Sequence, residues 1–190
     1  MGSEMCIRDR SNPYANRDPR LAMSILTNNV EFKDRTIEAW TGGRDGKGVI
    51  HATRTGYYIY KFIDPNLDLL QNRTSVHHWV IMRYAEILLS YAEAMNEAYG
   101  PTGNVGYRLN AVRALNQVRN RVGVEMPAVP TAISKEELRE KIRNERRVEL
   151  AFEDHRFWDV RRWMIAPETL GTPLRGVEIT KISDEEFEYK

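Results

Sequence analysis

The sequence predicts a mainly α-helical chain, built of helical hairpins joined by long irregular loops and a few short strands. Three observations carry that prediction. Apolar residues step by three and four through residues 81–98, and again through residues 105–122. Ser134 followed by Glu137 opens a third amphipathic stretch with a capping box, in which hydroxyl and carboxylate each satisfy an orphan backbone N–H. Five of the twelve glycines fall within residues 28–56, which marks the front of the chain as loop-rich.

In chain order, Asn12-Pro13 and Asp18-Pro19 are turn or helix-entry signals, and residues 21–26 suit a short helix or strand. An extended segment ending near Trp40 runs into the loop TGGRDGKG. That loop lacks the Lys-Ser/Thr pair and the opening helix of a phosphate loop, so it reads as a flexible surface loop. Residues 57–62 (YYIYKF) are aromatic and β-branched, as a short strand requires, and Asp64-Pro65-Asn66 ends it. His77, His78 and Trp79 lead into the first strong helix. Adjacent histidines point in different directions, so they are poor joint metal ligands.

Along that helix Ile81, Tyr84, Leu88, Tyr91, Met95 and Ala98 form the apolar face. Glu86, Ser90, Glu93 and Glu97 keep the same step on the opposite side, and Gly100-Pro101 stops the helix. Asn104 is the expected cap of the next helix, whose stripe is Val105, Leu109, Val112, Leu115, Val118 and Val122. Arg119 and Arg121 complement its C-terminal dipole, and Gly123 ends it. The two should pack antiparallel, and their combined length is near the ~34-residue period of tetratricopeptide hairpins.

After the proline-punctuated EMPAVPT comes the capped helix, with Leu138, Ile142, Val148 and Phe152 expected on one face. A break is expected near Asp154-His155. A second helix then carries Phe157, Trp158, Val160, Arg161 and Met164, and Pro167 closes it. Residues 177–180 and 187–189 read as two short strands of a hairpin around Ser183-Asp184.

Residues 144–163, NERRVELAFEDHRFWDVRRW, crowd acids and arginines among Phe152, Phe157, Trp158 and Trp163. Glu145 and Glu149 fall in the middle of the apolar face, where a carboxylate must be protonated or paired. Arginine pairs carboxylates in a planar, bidentate way. The expected arrangement is therefore a structural ion-pair network of Glu145 and Glu149 with arginines including Arg83 or Arg161. The sharper alternative is a general acid/base pair.

Those twenty residues closely resemble the signature near the C-terminal end of SusD/RagB-type proteins, and RYAEILLSYAEAMNEA at residues 83–98 resembles a second signature in the same order. The resemblance covers roughly residues 18–180. Asp154 departs from it, since the family usually has Gly there; Asp is among the few residues that tolerate a left-handed backbone. The resemblance implies a tetratricopeptide-like scaffold and a surface lipoprotein of the outer membrane. Such a protein captures a glycan or other nutrient and delivers it to a SusC-like TonB-dependent transporter, with no cofactor and no catalysis. It also implies that residues 11–190 are the C-terminal portion of a longer SusD-like domain, truncated at both ends. The opening MGSEMCIRDR reads as a non-native scar, because MCIRD is what a sequencing-library transposon end encodes in one frame. Setting residues 1–10 aside removes Cys6, the only cysteine, and with it thiolate metal or nucleophile chemistry.

A net charge of +1 with 29% charged residues makes no case for bulk attraction to nucleic acid or anionic membrane. The sequence contains no HExxH, Glu-x-x-His or G-x-S-x-G. What remains is recognition, in which sugar rings stack on exposed aromatics. The candidates outside helical stripes are Trp40, Tyr57, Tyr58, Tyr60 and Trp79, with Trp40 foremost because it flanks the glycine-rich loop. Two rivals stand beside the glycan binder: a helical-repeat adaptor that binds only protein, and a glycoside hydrolase using Glu145 or Glu149.

Overall fold

A computed structural model describes residues 12–76 and 78–190. The expectations for residues 1–10, for Cys6 and for His77 lie outside the described residues. The rest divides into two compact units. One takes in the described residues up to Arg17, residues 21–76 and Thr172–Lys190; the other takes in Asp18–Arg20 and His78–Gly171.

The second unit is helical. α2 (Tyr84–Tyr99), α3 (Ala111–Arg119) and α4 (Lys135–Glu149) bury one apolar cluster that includes Leu89, Ala92, Val112, Leu115, Leu138 and Ile142. α5 (His155–Arg162) and α6 (Ala166–Leu170) follow. α1 (Arg20–Ser24) opens with Arg20, which belongs to this unit. Asn96, fully buried on α2, donates from Nδ2 to the Lys135 carbonyl at 2.9 Å and so ties α2 to the start of α4.

Several boundaries differ from the periodic reading, each for a local reason. α2 starts at Tyr84 because Arg83 is its extended N-cap, and Ile81 lies outside the helix, 84% exposed. α3 is capped by Asn110, whose side chain accepts the Arg113 amide at 2.9 Å, and not by Asn104. Val105 and Val122 fall outside that shorter helix and are exposed. α4 has the capping box of Ser134 and Glu137. Its buried face is Leu138, Ile142, Glu145, Arg146 and Glu149; Val148 is half-buried, and Phe152 turns away because the helix ends at Glu149 and Phe152 has φ 65°. Asp154 has φ 63° and ψ 0°, the left-handed break between α4 and α5. Pro167 does not close a helix: it sits in the first turn of α6, where its missing N–H costs nothing.

The first unit is built from antiparallel two-stranded pairs. β1 (Ile25–Leu26) pairs with β4 (Tyr58–Ile59), β2 (Glu31–Phe32) with β3 (Arg35–Thr36), and β5 (Ile179–Lys181) with β6 (Phe187–Tyr189). Leu26, Ile37, Ala39, Ile179, Phe187 and Tyr189 form its core, with Trp40, Tyr58 and Tyr60 partly buried against it. The glycine-rich loop is pinned to this core. Asp45 receives both Nη atoms of Arg35 at 2.6 and 2.8 Å and the Glu38 amide at 2.9 Å. A Cβ at Gly43 would sit 2.9 Å from Trp40 Cε2, so the loop can fold over the indole only with glycine there.

Candidate functional site

The densest chemistry lies in the helical unit. Arg20 is 4% exposed, Glu145 1% and Glu149 2%, so the centre of this network is closed from solvent. Arg20 Nη1 donates to Glu145 Oε1 at 2.6 Å and to Glu149 Oε2 at 2.8 Å. Its Nε and Nη2 hold Asp18 at 2.9 and 2.6 Å. Arg119 reaches the other oxygen of Glu145 at 2.6 Å. Arg83 reaches Glu149 Oε1 at 2.7 Å and clamps Glu153 through Nε and Nη2 at 2.8 and 2.9 Å. Arg121 also donates to Glu149 Oε1. Burial alone would raise the Glu149 pKa, but hydrogen bonds from Arg20 and Arg83 and the charge of Arg121 outweigh it and hold the carboxyl below its usual range.

A glycosidase needs a raised-pKa acid and a second carboxylate in an open cleft. Here both oxygens of each glutamate are taken by guanidiniums, and both side chains are buried. The network is equipped to fix α4 against the segments carrying Arg20, Arg83, Arg119 and Arg121.

Arg161, expected in that network, is elsewhere. Its guanidinium lies 3.5 Å from the Phe157 ring centroid, and Nη1 donates to the Phe157 carbonyl at 2.9 Å. The reason is position: Arg161 is one turn after Phe157 on α5 and outside the helix's buried face, which is Asp159 and Val160. The arginines that do join Glu145 and Glu149 with Arg83 were harder to read. In the sequence Arg119 and Arg121 read as dipole partners, and Arg20 stands 125 positions from Glu145 with only the Asp18-Pro19 turn to mark it.

The aromatic candidates separate clearly. Trp40 packs on Phe187, ring centroids 5.3 Å apart, with Lys181 Nζ 5.0 Å from its ring. It supports the core of its unit and is not a free loop side chain, because the loop folds back on it. Tyr58 donates its hydroxyl to the Asp45 carbonyl at 2.8 Å and accepts the Thr53 amide at 3.2 Å. Tyr57 is half-buried, edge-to-face with Tyr14 at 6.3 Å, and Tyr60 packs on Phe32 at 5.9 Å. Trp79 belongs to the helical unit and is 70% exposed. His78 is exposed, and no group of metal-ligating side chains occurs among the described residues.

A second feature of the helical unit is an open groove of about 570 Å³ between the outward face of α2 and α5. Glu86, Ser90 and Glu93 line it from α2, with His155, Trp158 and Arg162 from α5. Arg162 grips Glu93 at 2.5 and 2.7 Å, joined by Trp163 Nε1 at 2.8 Å. Burial pushes the Glu93 pKa up, but the bonds from Arg162 and Trp163 prevail and keep it low.

The geometry is that of a helical scaffold, held by a buried arginine–glutamate lattice, that carries exposed aromatics. The chain matches the SusD family over residues 8–189 and belongs to that family. Its architecture is accordingly the tetratricopeptide-like helical fold of SusD-like proteins, with few short strands. A SusD-like protein from Bacteroides fragilis NCTC 9343 superposes with a TM-score of 0.71 at 34% identity, over 94% of this chain and 34% of that one. A SusD-like carbohydrate binding protein from the same organism superposes with a TM-score of 0.65 at 32% identity, over 84% of this chain and 31% of that one. A SusD-like protein of Formosa agariphila is 34% identical over 120 residues, which is 60% of this chain and 22% of that protein. The chain thus spans about a third of the solved structures and about a fifth of that curated relative.

Proposed function

We propose that this chain binds an oligosaccharide non-covalently and does not cleave it. The observation that carries this is membership of the SusD family together with 32% identity to a solved member described as carbohydrate binding. The geometry supports the same reading. Glu145 and Glu149 are paired and closed off, as a scaffold requires and a hydrolase does not tolerate. Trp79, with its indole 70% exposed, is the foremost of the ligand-binding candidates; Tyr57 is the next, and Trp40 and Tyr58 contribute by shaping the loop surface. The adaptor rival calls for a smooth helical groove without aromatics, whereas the groove beside α2 displays Trp158.

In its natural setting the captured glycan passes to a SusC-like TonB-dependent transporter, at the outer surface of the outer membrane. A glycan array probed with the chain tests the binding step. Retention of one glycan class, reduced by Trp79→Ala, is the expected result. A chain that retains none defeats the reading.

A further inference from the structure

Arginine crowds α4 and α5, and most of it is paired. Arg139 holds Glu97, Arg143 holds Glu140, Arg146 holds Asp159, and Arg162 holds Glu93 and Asp159. Arg161 donates to the Phe157 carbonyl and covers the Phe157 ring. Arg147 and Arg156 differ. Neither side chain makes a hydrogen bond or an ion pair among the described residues.

These two are neighbours. α4 and α5 approach in opposite senses: the Arg143 guanidinium lies 5.1 Å from the Trp163 ring centroid, and Arg146 Nε lies 3.0 Å from Asp159 Oδ2. Arg147 is one turn after Arg143 on the same face of α4, so it follows α5 towards its start, where Arg156 stands. Arg156 comes one turn before Asp159 and Val160, the buried pair of α5, and is half-buried; Arg147 is exposed. Burial, and after it the charge of Arg147, push the Arg156 guanidinium below its ordinary range, while the Asp159 carboxylate opposes them.

The carboxylates of the region are engaged elsewhere. Asp159 is divided between Arg146 and Arg162, Glu153 is clamped by Arg83, and Glu149 is shared by Arg20, Arg83 and Arg121. Glu86 faces His155. Asp154 is exposed, and its charge is not among those that bear on Arg156. A guanidinium that loses water on burial must recover its hydrogen bonds from a partner, which is why buried arginines are paired. Two of them side by side, with no acid between, suit an oxyanion.

We infer that Arg147 and Arg156 together bind a dianionic tetrahedral oxyanion, the group carried by phosphate and its monoesters. Two positive charges neutralise a dianion, whereas a carboxylate leaves one of them over. A tetrahedral group also has oxygens enough to share between two planar forks of N–H donors. The free anion and a phosphate ester offer the same chemistry, and titration with both separates them. The site does not require that the chain bind a glycan.

The test is a nuclear magnetic resonance titration of the chain at neutral pH and constant ionic strength, following the amide and Nε–H signals of Arg147 and Arg156. The ligands are inorganic phosphate, glucose 6-phosphate and acetate. Phosphate should move these signals saturably, and acetate should bind about fivefold more weakly or worse. Tighter binding of glucose 6-phosphate than of inorganic phosphate supports the site with an ester as its ligand; equal binding supports it with the free anion. Arg147→Gln changes an exposed residue, so it should keep the melting temperature of the parent while weakening phosphate about fivefold or more. Arg147→Lys should recover part of that loss, because the charge remains without the fork. Arg156→Gln should abolish binding; if it does not fold, the Arg147 variants decide. Arg161→Gln removes a cation of the same helix that Phe157 already engages, and should leave the titration unchanged. Absence of a saturable shift overturns the inference, as does undiminished phosphate binding by Arg147→Gln, or acetate binding as tightly as phosphate. An equal loss with Arg161→Gln also overturns it, since the effect would then be one of general surface charge.

Discussion

Arg20 and Glu145, 125 positions apart in the chain, meet at 2.6 Å in a site where both are almost wholly buried. The same guanidinium nitrogen reaches Glu149 at 2.8 Å. One arginine thus neutralises two carboxylates on successive turns of α4. Replacing it leaves Glu145 and Glu149 each short of a partner inside the protein. Breaking a buried pair from one side costs about 3–5 kcal/mol. Arg20→Ala should lower unfolding stability by about that amount in a denaturant titration, and Arg20→Lys should recover only part of it, because lysine lacks the planar fork. A change within ~0.5 kcal/mol would mean that Arg83, Arg119 and Arg121 hold the lattice without it.

Stability should also fall in acid. The folded-state pKa of Glu149 is depressed, so its contribution is fully present above the unfolded carboxylate value of about 4.3 and is lost as pH falls through the folded value. Asp18 and Glu93 are shifted the same way; burial opposes the shift in each, and bonds from Arg20 and Arg162 outweigh it. Unfolding free energy should be flat just above pH 5 and decline below ~4. Glu149→Gln should show a shallower decline over the same range. Identical acid limbs in the two proteins would remove Glu149 from the account.

Asp154 has φ 63°, a conformation that costs an ordinary L-residue about 1–2 kcal/mol and glycine nothing. Asp154→Gly regains that strain but gives the unfolded chain more freedom. The net effect should lie within about 1 kcal/mol of zero, whereas Asp154→Val should destabilise by about 1–2 kcal/mol. Paired thermal melts decide it, and equal melting temperatures for the valine and glycine variants would rule the strain out.

Trp40 and Trp79 should respond in opposite ways. Trp40 leans on Phe187 and closes the glycine-rich loop, so Trp40→Ala should cost roughly 2–4 kcal/mol by the cavity it leaves. Trp79 is 70% exposed, and Trp79→Ala should change stability by less than ~0.5 kcal/mol. Denaturant curves of both variants make the comparison. A destabilising Trp79→Ala would show that its indole is packed.

The helices and the cap of α4 were legible because periodicity and capping are local, whereas the cap of α3 is Asn110 and not Asn104. Ser134 with Glu137, and the break at Asp154, lie within a few residues of the structure they set. The stripe that places Glu145 and Glu149 inside is equally local. The partners of those glutamates were not legible, because an arginine's reach across the fold leaves no periodic trace: Arg20, Arg119 and Arg121 look like surface residues in sequence. The packing of Trp40 leaves no local trace for a related reason. Trp40 has no helical stripe around it, yet strands that return from residues 179–189 cover it. Phe152 lies off the buried stripe because the helix ends three residues earlier than its pattern suggests.

The most direct test of the central claim is native mass spectrometry of the chain with the glycan that an array selects. It reads binding and cleavage in one spectrum. The account predicts a saturable complex carrying the intact oligosaccharide, with no shorter products after prolonged incubation and no change for Glu145→Gln. Shorter products that form with the parent chain and vanish with Glu145→Gln would make the buried lattice catalytic and contradict the account.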